Sequence, residues 1–246
     1  MFRETGFLST LSDFPLQRAR WALLACMGIV SMGFTVLFPL LAPLGREIGL
    51  SEFGVTSIIG ASSITFFFMT PIWGRLSDRF GRKRIMLVGL FGFSGGTVLF
   101  TLVLKAGMQG LLLGAGIYLA LILARILMAV LMSASLPTSS AYMADITDAK
   151  GRTKGMGATG AAGNIGAMMG PALAGLAVIS ILTPLWTIAL IAFLNGLFVL
   201  FFLPESPTQQ HSSVSVATIR FNDQRILPFI VVGVLIFVGN AVVQQT

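Results

Sequence analysis

Charged residues are scarce in this chain. Asp, Glu, Lys and Arg make up 10% of its 246 residues, whereas 55% are hydrophobic. Soluble domains carry about 25% charged residues, so this chain lacks the polar surface that a water-soluble globule needs. The composition therefore indicates a membrane protein.

Cysteine and histidine are nearly absent, which excludes several kinds of site. Cys26 is the only cysteine, so a disulfide within the chain and a thiolate metal cluster are both excluded. His211 is the only histidine and lies in a polar segment, so an intramembrane Ser–His pair and a set of histidine metal ligands lack their residues. We predict a protein that is not an enzyme and that uses no cofactor or metal.

Apolar stretches long enough to cross the hydrocarbon core as helices, which takes about 20 residues, occur six times. They cover residues 21–44, 54–73, 85–104, 117–142, 155–181 and 184–203, and a seventh runs from 226 to 246. We predict an all-α membrane protein with four segments. These are a cytoplasmic segment (1–20), a six-helix transmembrane bundle (21–203), a central cytoplasmic loop (204–225) and a truncated seventh span (226–246).

The positive charge follows membrane topology. With the N-terminus in the cytoplasm, thirteen of the sixteen Lys and Arg lie in inner segments, two lie in outer loops, and Arg125 lies within a span. Such a bias predicts a multi-pass protein of the plasma membrane with a cytoplasmic N-terminus. A DNA-binding face would cluster this charge differently, so we expect no nucleic-acid partner.

The segment GRLSDRFGRKR, residues 74–84, separates the second and third apolar stretches. Its residues Gly74, Leu76, Asp78, Arg79, Gly81, Arg82, Lys83 and Arg84 fill every fixed place of Gly-x-Leu-x-Asp-Arg-x-Gly-Arg-Lys-Arg. This pattern is the signature of the loop between spans two and three in the major facilitator superfamily, which the chain therefore resembles. The resemblance implies that the motif is a conformational gate formed by Gly74, Asp78, Gly81, Arg82, Lys83 and Arg84.

Physical chemistry adds two expectations for this motif. The two glycines, Gly74 and Gly81, permit a tight turn between the helices. Asp78 is expected to be a buried or half-buried carboxylate kept ionised by neighbouring cations. The resemblance further implies that Asp78 caps a helix of the opposite half of the transporter. A simple positive-inside anchor is the alternative.

Arg125, in the fourth span, resembles the arginine of Leu-x-x-Arg-x-x-Gln-Gly in proton-coupled antiporters of the family, although Met128 and Ala129 replace the Gln and Gly. The resemblance implies a role in proton coupling. An arginine within a span usually faces a cavity or a partner. The alternative is a side chain that snorkels to the outer interface.

The fifth span resembles the antiporter motif Gly-x-x-x-Gly-Pro-x-x-Gly-Gly at Gly166, Gly170, Pro171 and Gly175, with Ala174 in place of one glycine. The glycines between 157 and 175 are spaced by three to five residues, which predicts one helical face that a second backbone approaches closely. Within the family this motif is typical of exporters. A close-packed helix pair without a mechanistic role is the alternative.

Residues 141–157 resemble the loop after span four in exporters of the tetracycline type. Asp145 is therefore a candidate to join Asp78 and Arg82 in a charge relay, and a solvated loop is the alternative. Tetracycline exporters carry an acidic residue in the first span, but none occurs between residues 21 and 43. Tetracycline is therefore a doubtful substrate.

Taken together, these resemblances imply a twelve-span drug–proton antiporter of the bacterial inner membrane, of which this chain is a truncated N-terminal half built from two inverted three-helix repeats. We predict proton-coupled efflux of small drug-like molecules by alternating access. The implied partners are a small-molecule substrate, protons, the lipid bilayer and the missing C-terminal half. The alternatives are an uptake symporter for a small metabolite and an inactive fragment.

Overall fold

The computed structural model describes residues 5–148 and 151–205, with the side chains of residues 5–16 and Ala42 left out. Within these residues every regular element is a helix. The helices are α1 (Thr5–Thr35), α2 (Leu37–Glu47), α3 (Glu52–Phe80), α4 (Arg82–Met108), α5 (Ala115–Met132), α6 (Ser135–Asp145), α7 (Arg152–Ala174) with a 3₁₀ turn (Gly175–Val178), and α8 (Thr183–Phe202). The predicted seventh span and most of the predicted central loop, residues 206–246, lie outside the described residues.

Six spans are long and apolar enough to cross a membrane, which confirms the predicted all-α membrane fold. Two of them are interrupted. The first span consists of α1 and α2, separated at Val36, and the fourth consists of α5 and α6, separated at Ser133 and Ala134. A proline follows each interruption within a few residues, and its ring clashes with the carbonyl group four residues earlier. Pro39 thus acts at Thr35, and Pro137 acts at Ser133.

The packing of the spans repeats itself. The first span packs against the fifth through α1 and α7, and the fourth span packs against the second through α5 and α3. The first span also packs against the sixth through α1 and α8, and the fourth packs against the third through α5 and α4. The interruptions match in the same way, because Pro39 and Pro137 lie 98 positions apart. This arrangement is that of two three-helix repeats, in which spans one to three correspond to spans four to six.

The core lies between α4 and the helices around it. Phe93 and Phe100 are fully buried on α4, together with Met86 and Leu90. Half of the residues in the most apolar stretch of α4 are buried inside the bundle, whereas 17% of the residues are buried in the corresponding stretches of the spans that contain α3 and α7. Helices α3 and α7 therefore lie at the periphery, and each presents a broad face outward.

Candidate functional site

The junction between α3 and α4 is a single residue. Helix α3 runs through Phe80 and α4 begins at Arg82, so most of the predicted loop is helical. Gly81 has φ 101°, a backbone conformation that favours glycine, and its N–H donates to the carbonyl of Ser77 at 3.1 Å. The tight turn therefore depends on Gly81 alone. Gly74 lies inside α3 and takes no part in it.

Arg82 holds together three helices at this end of the bundle, which we call the charged end. Its Nε donates to Oδ2 of Asp145 at 3.1 Å, and its Nη1 donates to Oγ of Ser77 at 2.8 Å. The same nitrogen, Nη1, forms a salt bridge with Asp78. The side chains of Arg82 and Asp145 are 16% and 14% exposed, so this pair is largely shielded from water. The structure thus brings together the three residues of the expected charge relay.

Asp78 is more exposed than the sequence led us to expect. Its side chain is 59% exposed, so the prediction of a buried or half-buried carboxylate is wrong for the described chain. Adjacent residues of a helix point roughly 100° apart, and the preceding residue, Ser77, is the one buried against the bundle. The carboxylate of Asp78 consequently faces outward, with Arg82 at its side. Lys83 is half-buried and Arg84 is exposed, and both lie outside this cluster.

The glycines of α7 lie on two faces, so the prediction of one face is wrong. A Cβ on Gly166 would overlap the backbone of Gly28, and one on Gly170 would overlap the hydroxyl of Thr35. No atom lies within 4 Å of a Cβ placed at Gly157 or Gly175. Each of these glycines lies nine positions from Gly166 along the chain, and nine positions correspond to a rotation of about 180° around a helix axis. One face of α7 therefore packs tightly on α1, and the other is left open.

Pro171 completes the contact between α7 and α1. Because proline has no N–H, the carbonyl of Ala167 loses its usual donor within the helix. The hydroxyl of Thr35, the last residue of α1, lies 2.9 Å from that carbonyl and donates to it at a shorter distance than to the carbonyls of Ser31 and Met32 in its own helix, which are each 3.2 Å away. The sequence identified the proline, but the threonine that compensates for it was not predicted.

Arg125 lies inside the bundle. The residue is 6% exposed, which contradicts the alternative of a side chain that snorkels to the interface. Its Nη1 donates to the sulfur of Met128 at 3.2 Å, and its guanidinium lies 6.0 Å from the ring centroid of Phe100. Twenty residues of the fourth span separate it from Asp145, roughly 30 Å along a helix. The structure therefore does not bring Arg125 to the charged end.

Arg125 instead borders a cleft between the first, second and fourth spans. We call it the Arg125 cleft, and its lining residues are Phe34, Leu37, Phe38, Ile59, Ser62 and Arg125. The aromatic and aliphatic side chains form its walls. The guanidinium is the one charged group among these lining residues.

Comparison with known proteins decides the family. Residues 23–245 match the Major Facilitator Superfamily. The chain belongs to this family. It is thus a multi-pass membrane protein of a transporter family, and not an enzyme.

Two bacterial relatives within the superfamily carry names that refer to drug resistance. Multidrug resistance protein 2 of Bacillus subtilis (strain 168) is 31% identical over 72% of this chain and 42% of its own length. Tetracycline resistance protein, class C, of Escherichia coli is 29% identical over 75% of this chain and 45% of its own length. The chain thus spans less than half the length of these relatives.

A solved structure of the superfamily has the same fold. The crystal structure of the human organic anion transporter MFSD10 (TETRAN) aligns with a TM-score of 0.61 over 79% of this chain and 49% of that one, at 23% identity. At this level of identity, the likeness concerns the fold alone.

The two carboxylates around Arg82 are expected to differ in their effect on the stability of this superfamily member. Asp145→Asn removes the negative charge from the shielded acceptor of the Arg82 Nε–H group, which should lower the free energy of unfolding by about 1.5–3 kcal/mol. Asp78→Asn alters an exposed pair, whose contribution is at most about 1 kcal/mol. Chemical unfolding of the purified chain in detergent measures both variants. Equal losses would show that burial does not distinguish the two carboxylates.

Proposed function

We propose that this chain forms the first six-helix unit of a proton-driven exporter of small amphipathic, drug-like molecules. The observation that carries the proposal is the cluster of Asp78, Arg82 and Asp145, which joins spans two, three and four at the charged end. The names of the multidrug and tetracycline resistance relatives support the direction of transport. The excess of Lys and Arg supports a cytoplasmic location for the charged end.

A second helical unit would cover the open faces of α3 and α7. Asn164 lies in the middle of α7 and is exposed, next to the exposed Gly160 and Ala161. Exposed Ser63 and Gly60 hold a comparable position on α3. Small and polar side chains in the middle of a span suit contact with another helix better than contact with lipid. We therefore infer that these faces meet the other half of the transporter, and that the two halves rock against each other.

The exposed carboxylate of Asp78 would then act as a gate. Arg82 lies on one side of this carboxylate, and the outward side of the carboxylate can accept hydrogen bonds from the N-terminus of a helix in the second unit. Such a contact would form when the cytoplasmic side is closed and break when it opens. Because Arg82 also binds Asp145, the gate would be anchored to α6.

The coupling protons would be carried near the membrane boundary or by the second unit. Within the described spans, Asp and Glu occur only near the ends, at Glu52, Asp78 and Asp145. The family resemblance gives Arg125 a part in coupling, and this residue lies buried inside the bundle.

A fusion protein tests this proposal. Residues 1–205 are joined to the part of the Bacillus subtilis relative that this chain does not match, and the fusion is expressed in bacteria lacking their own drug exporters. Efflux is measured with a panel of neutral, cationic and anionic amphipathic dyes. We expect efflux of at least one dye and its loss on addition of a protonophore. Asp78→Asn should slow efflux about tenfold, as expected when a contact of about 1.4 kcal/mol is lost.

The 246-residue chain expressed alone serves as the control, and we expect no efflux from it. A folded fusion that exports no dye contradicts the proposed function. Efflux that continues in the presence of a protonophore contradicts proton coupling only.

A further inference from the structure

The connection between α4 and α5, residues 109–114, exposes three consecutive leucines, and we call it the leucine turn. Leu111 and Leu113 are each 73% exposed, and Leu112 is 36% exposed. Helix α4 begins at the charged end and runs through Met108, so the leucine turn lies at the opposite end of the bundle. Contiguous exposed apolar side chains mark contact with a membrane or with another protein.

The backbone of the leucine turn is fixed by two glycines in the left-handed region. Gly110 has φ 72° and Gly114 has φ 57°. Gly110 closes α4 in a Schellman motif. The N–H of Leu111 donates to the carbonyl of Ala106 at 3.0 Å, and the N–H of Gly110 donates to that of Gly107 at 3.0 Å. The three leucines therefore project from a short, ordered turn.

The leucine turn is uncharged, unlike the segments at the charged end. No Asp, Glu, Lys or Arg occurs between Lys105 and Arg125. If the turn lay in water, its apolar side chains would be hydrated, which is unfavourable. Lys105 is exposed in the last turn of α4. A lysine in this position can lay its apolar stem against lipid chains while its ammonium group reaches the headgroups.

Exposed leucines on the two adjoining helices lead up to the leucine turn. Leu99 and Leu102 are exposed on α4. On α5, leucines at every fourth position are exposed, namely Leu119, Leu123 and Leu127. The open faces of α3 and α7 differ, because they carry small and polar residues in mid-span. Small residues favour close contact between helices, whereas these leucines suit contact with lipid chains. The surface beside the leucine turn therefore faces lipid.

We propose that the leucine turn is a lipid anchor, which inserts Leu111, Leu112 and Leu113 into the leaflet at this end of the bundle. The backbone is irregular between Gly110 and Gly114. Irregular backbone exposed to lipid does not occur within the hydrocarbon region, because its polar groups would lack partners. The backbone thus lies at the headgroup boundary, and only the side chains enter the apolar layer. The anchor sets the depth of the third and fourth spans at this end.

Spin labels test this depth in the 246-residue chain reconstituted into phospholipid vesicles. A nitroxide on Leu112→Cys is examined for collisions with oxygen, which concentrates in the apolar layer, and with nickel(II) ethylenediaminediacetate, which stays in water. Leu123→Cys is the lipid reference, and Glu52→Cys, at the exposed start of α3, is the water reference. We expect the ratio of oxygen to nickel collisions to be several-fold higher at 112 than at 52. The unsubstituted chain gives the background, because Cys26 is buried.

A double variant tests whether the leucines cause this placement. Leu111→Ser with Leu113→Ser, on either side of the label at 112, should lower the collision ratio there several-fold, because the apolar side chains that hold the turn in the leaflet are removed. Gln109→Ser changes a polar residue of the same turn and should leave the ratio unchanged. A label at 123 should keep its ratio in every variant, which shows that the bundle is still folded and inserted.

Two results in the chain alone would overturn the anchor. One is a collision ratio at 112 equal to that at 52, and the other is a ratio that the two serines leave unchanged. The fusion protein distinguishes lipid from the second unit. A label at 112 that is shielded from both oxygen and nickel in the fusion would mean that the second unit covers the turn, which also overturns the anchor. Dye efflux tests the proposed function independently of these collision ratios.

Discussion

Replacing Gly166 with alanine is expected to destabilise the six-helix bundle by about 1–3 kcal/mol, the usual cost of overpacking a tight contact. The added Cβ would overlap the carbonyl oxygen, carbonyl carbon and Cα of Gly28. All three are backbone atoms, so the overlap cannot be relieved by rotating a side chain. Helices α1 and α7 would have to separate along the contact that is closed by the bond between Thr35 and Ala167.

Gly160→Ala is the matched control, because it makes the same change on the open face of the same helix. No atom lies within 4 Å of a Cβ at Gly160. Alanine is a better helix former than glycine by about 1 kcal/mol, so this variant should be neutral or more stable. Chemical unfolding in detergent compares the two. A Gly166→Ala protein as stable as Gly160→Ala would show that α1 and α7 do not pack closely at this point.

Arg82→Met is expected to lower the free energy of unfolding by about 2–3 kcal/mol, somewhat below the roughly 3–5 kcal/mol measured when one partner of a fully buried pair is removed. The loss would come mainly from Asp145, whose carboxylate is 14% exposed and would lose its bond to Arg82. The buried hydroxyl of Ser77 would lose the hydrogen bond that Nη1 of Arg82 donates to it. The pair with Asp78 contributes less, because that carboxylate is exposed.

Arg84→Met removes the same charge two residues away, from an exposed side chain, and should change stability by less than about 0.5 kcal/mol. The double variant Arg82→Met with Asp145→Leu should recover part of the loss, because it removes both charges. The free energies of unfolding of the three proteins are compared. If Arg84→Met were as damaging as Arg82→Met, net charge rather than the contacts of Arg82 would be responsible.

The sequence was sufficient for the spans, because hydropathy located six of them. The interruptions of the first and fourth spans were not predicted, although Pro39 and Pro137 lie just after them. The meeting of Arg82 with Asp145 was expected only through family resemblance. These residues lie 63 positions apart, and no local rule connects them.

Two errors have physical causes. The exposure of Asp78 depends on whether another helix covers this residue, and the local pattern of charges in the sequence does not indicate such tertiary contacts. The glycines of α7 were assigned to one face because spacings of three and four join helical neighbours. The turns accumulate along the helix, however, and three spacings of three place Gly157 about 180° from Gly166. The spacing of five between Gly170 and Gly175 turns the helix by about 140° in one step. A series of residues in which successive members are helical neighbours therefore does not have to lie on one face of the helix.

The bond from Thr35 to Ala167 connects two weakened points of the backbone. Thr35 lies next to the interruption of the first span, and Ala167 is the residue whose carbonyl Pro171 leaves without a donor in its own helix. If one span bends there, either the other span moves with it or this bond breaks, and the hydroxyl of Thr35 then has the carbonyls of Ser31 and Met32 in its own helix as acceptors, each at 3.2 Å. The bond therefore favours joint movement of the first and fifth spans at this point by about 1 kcal/mol.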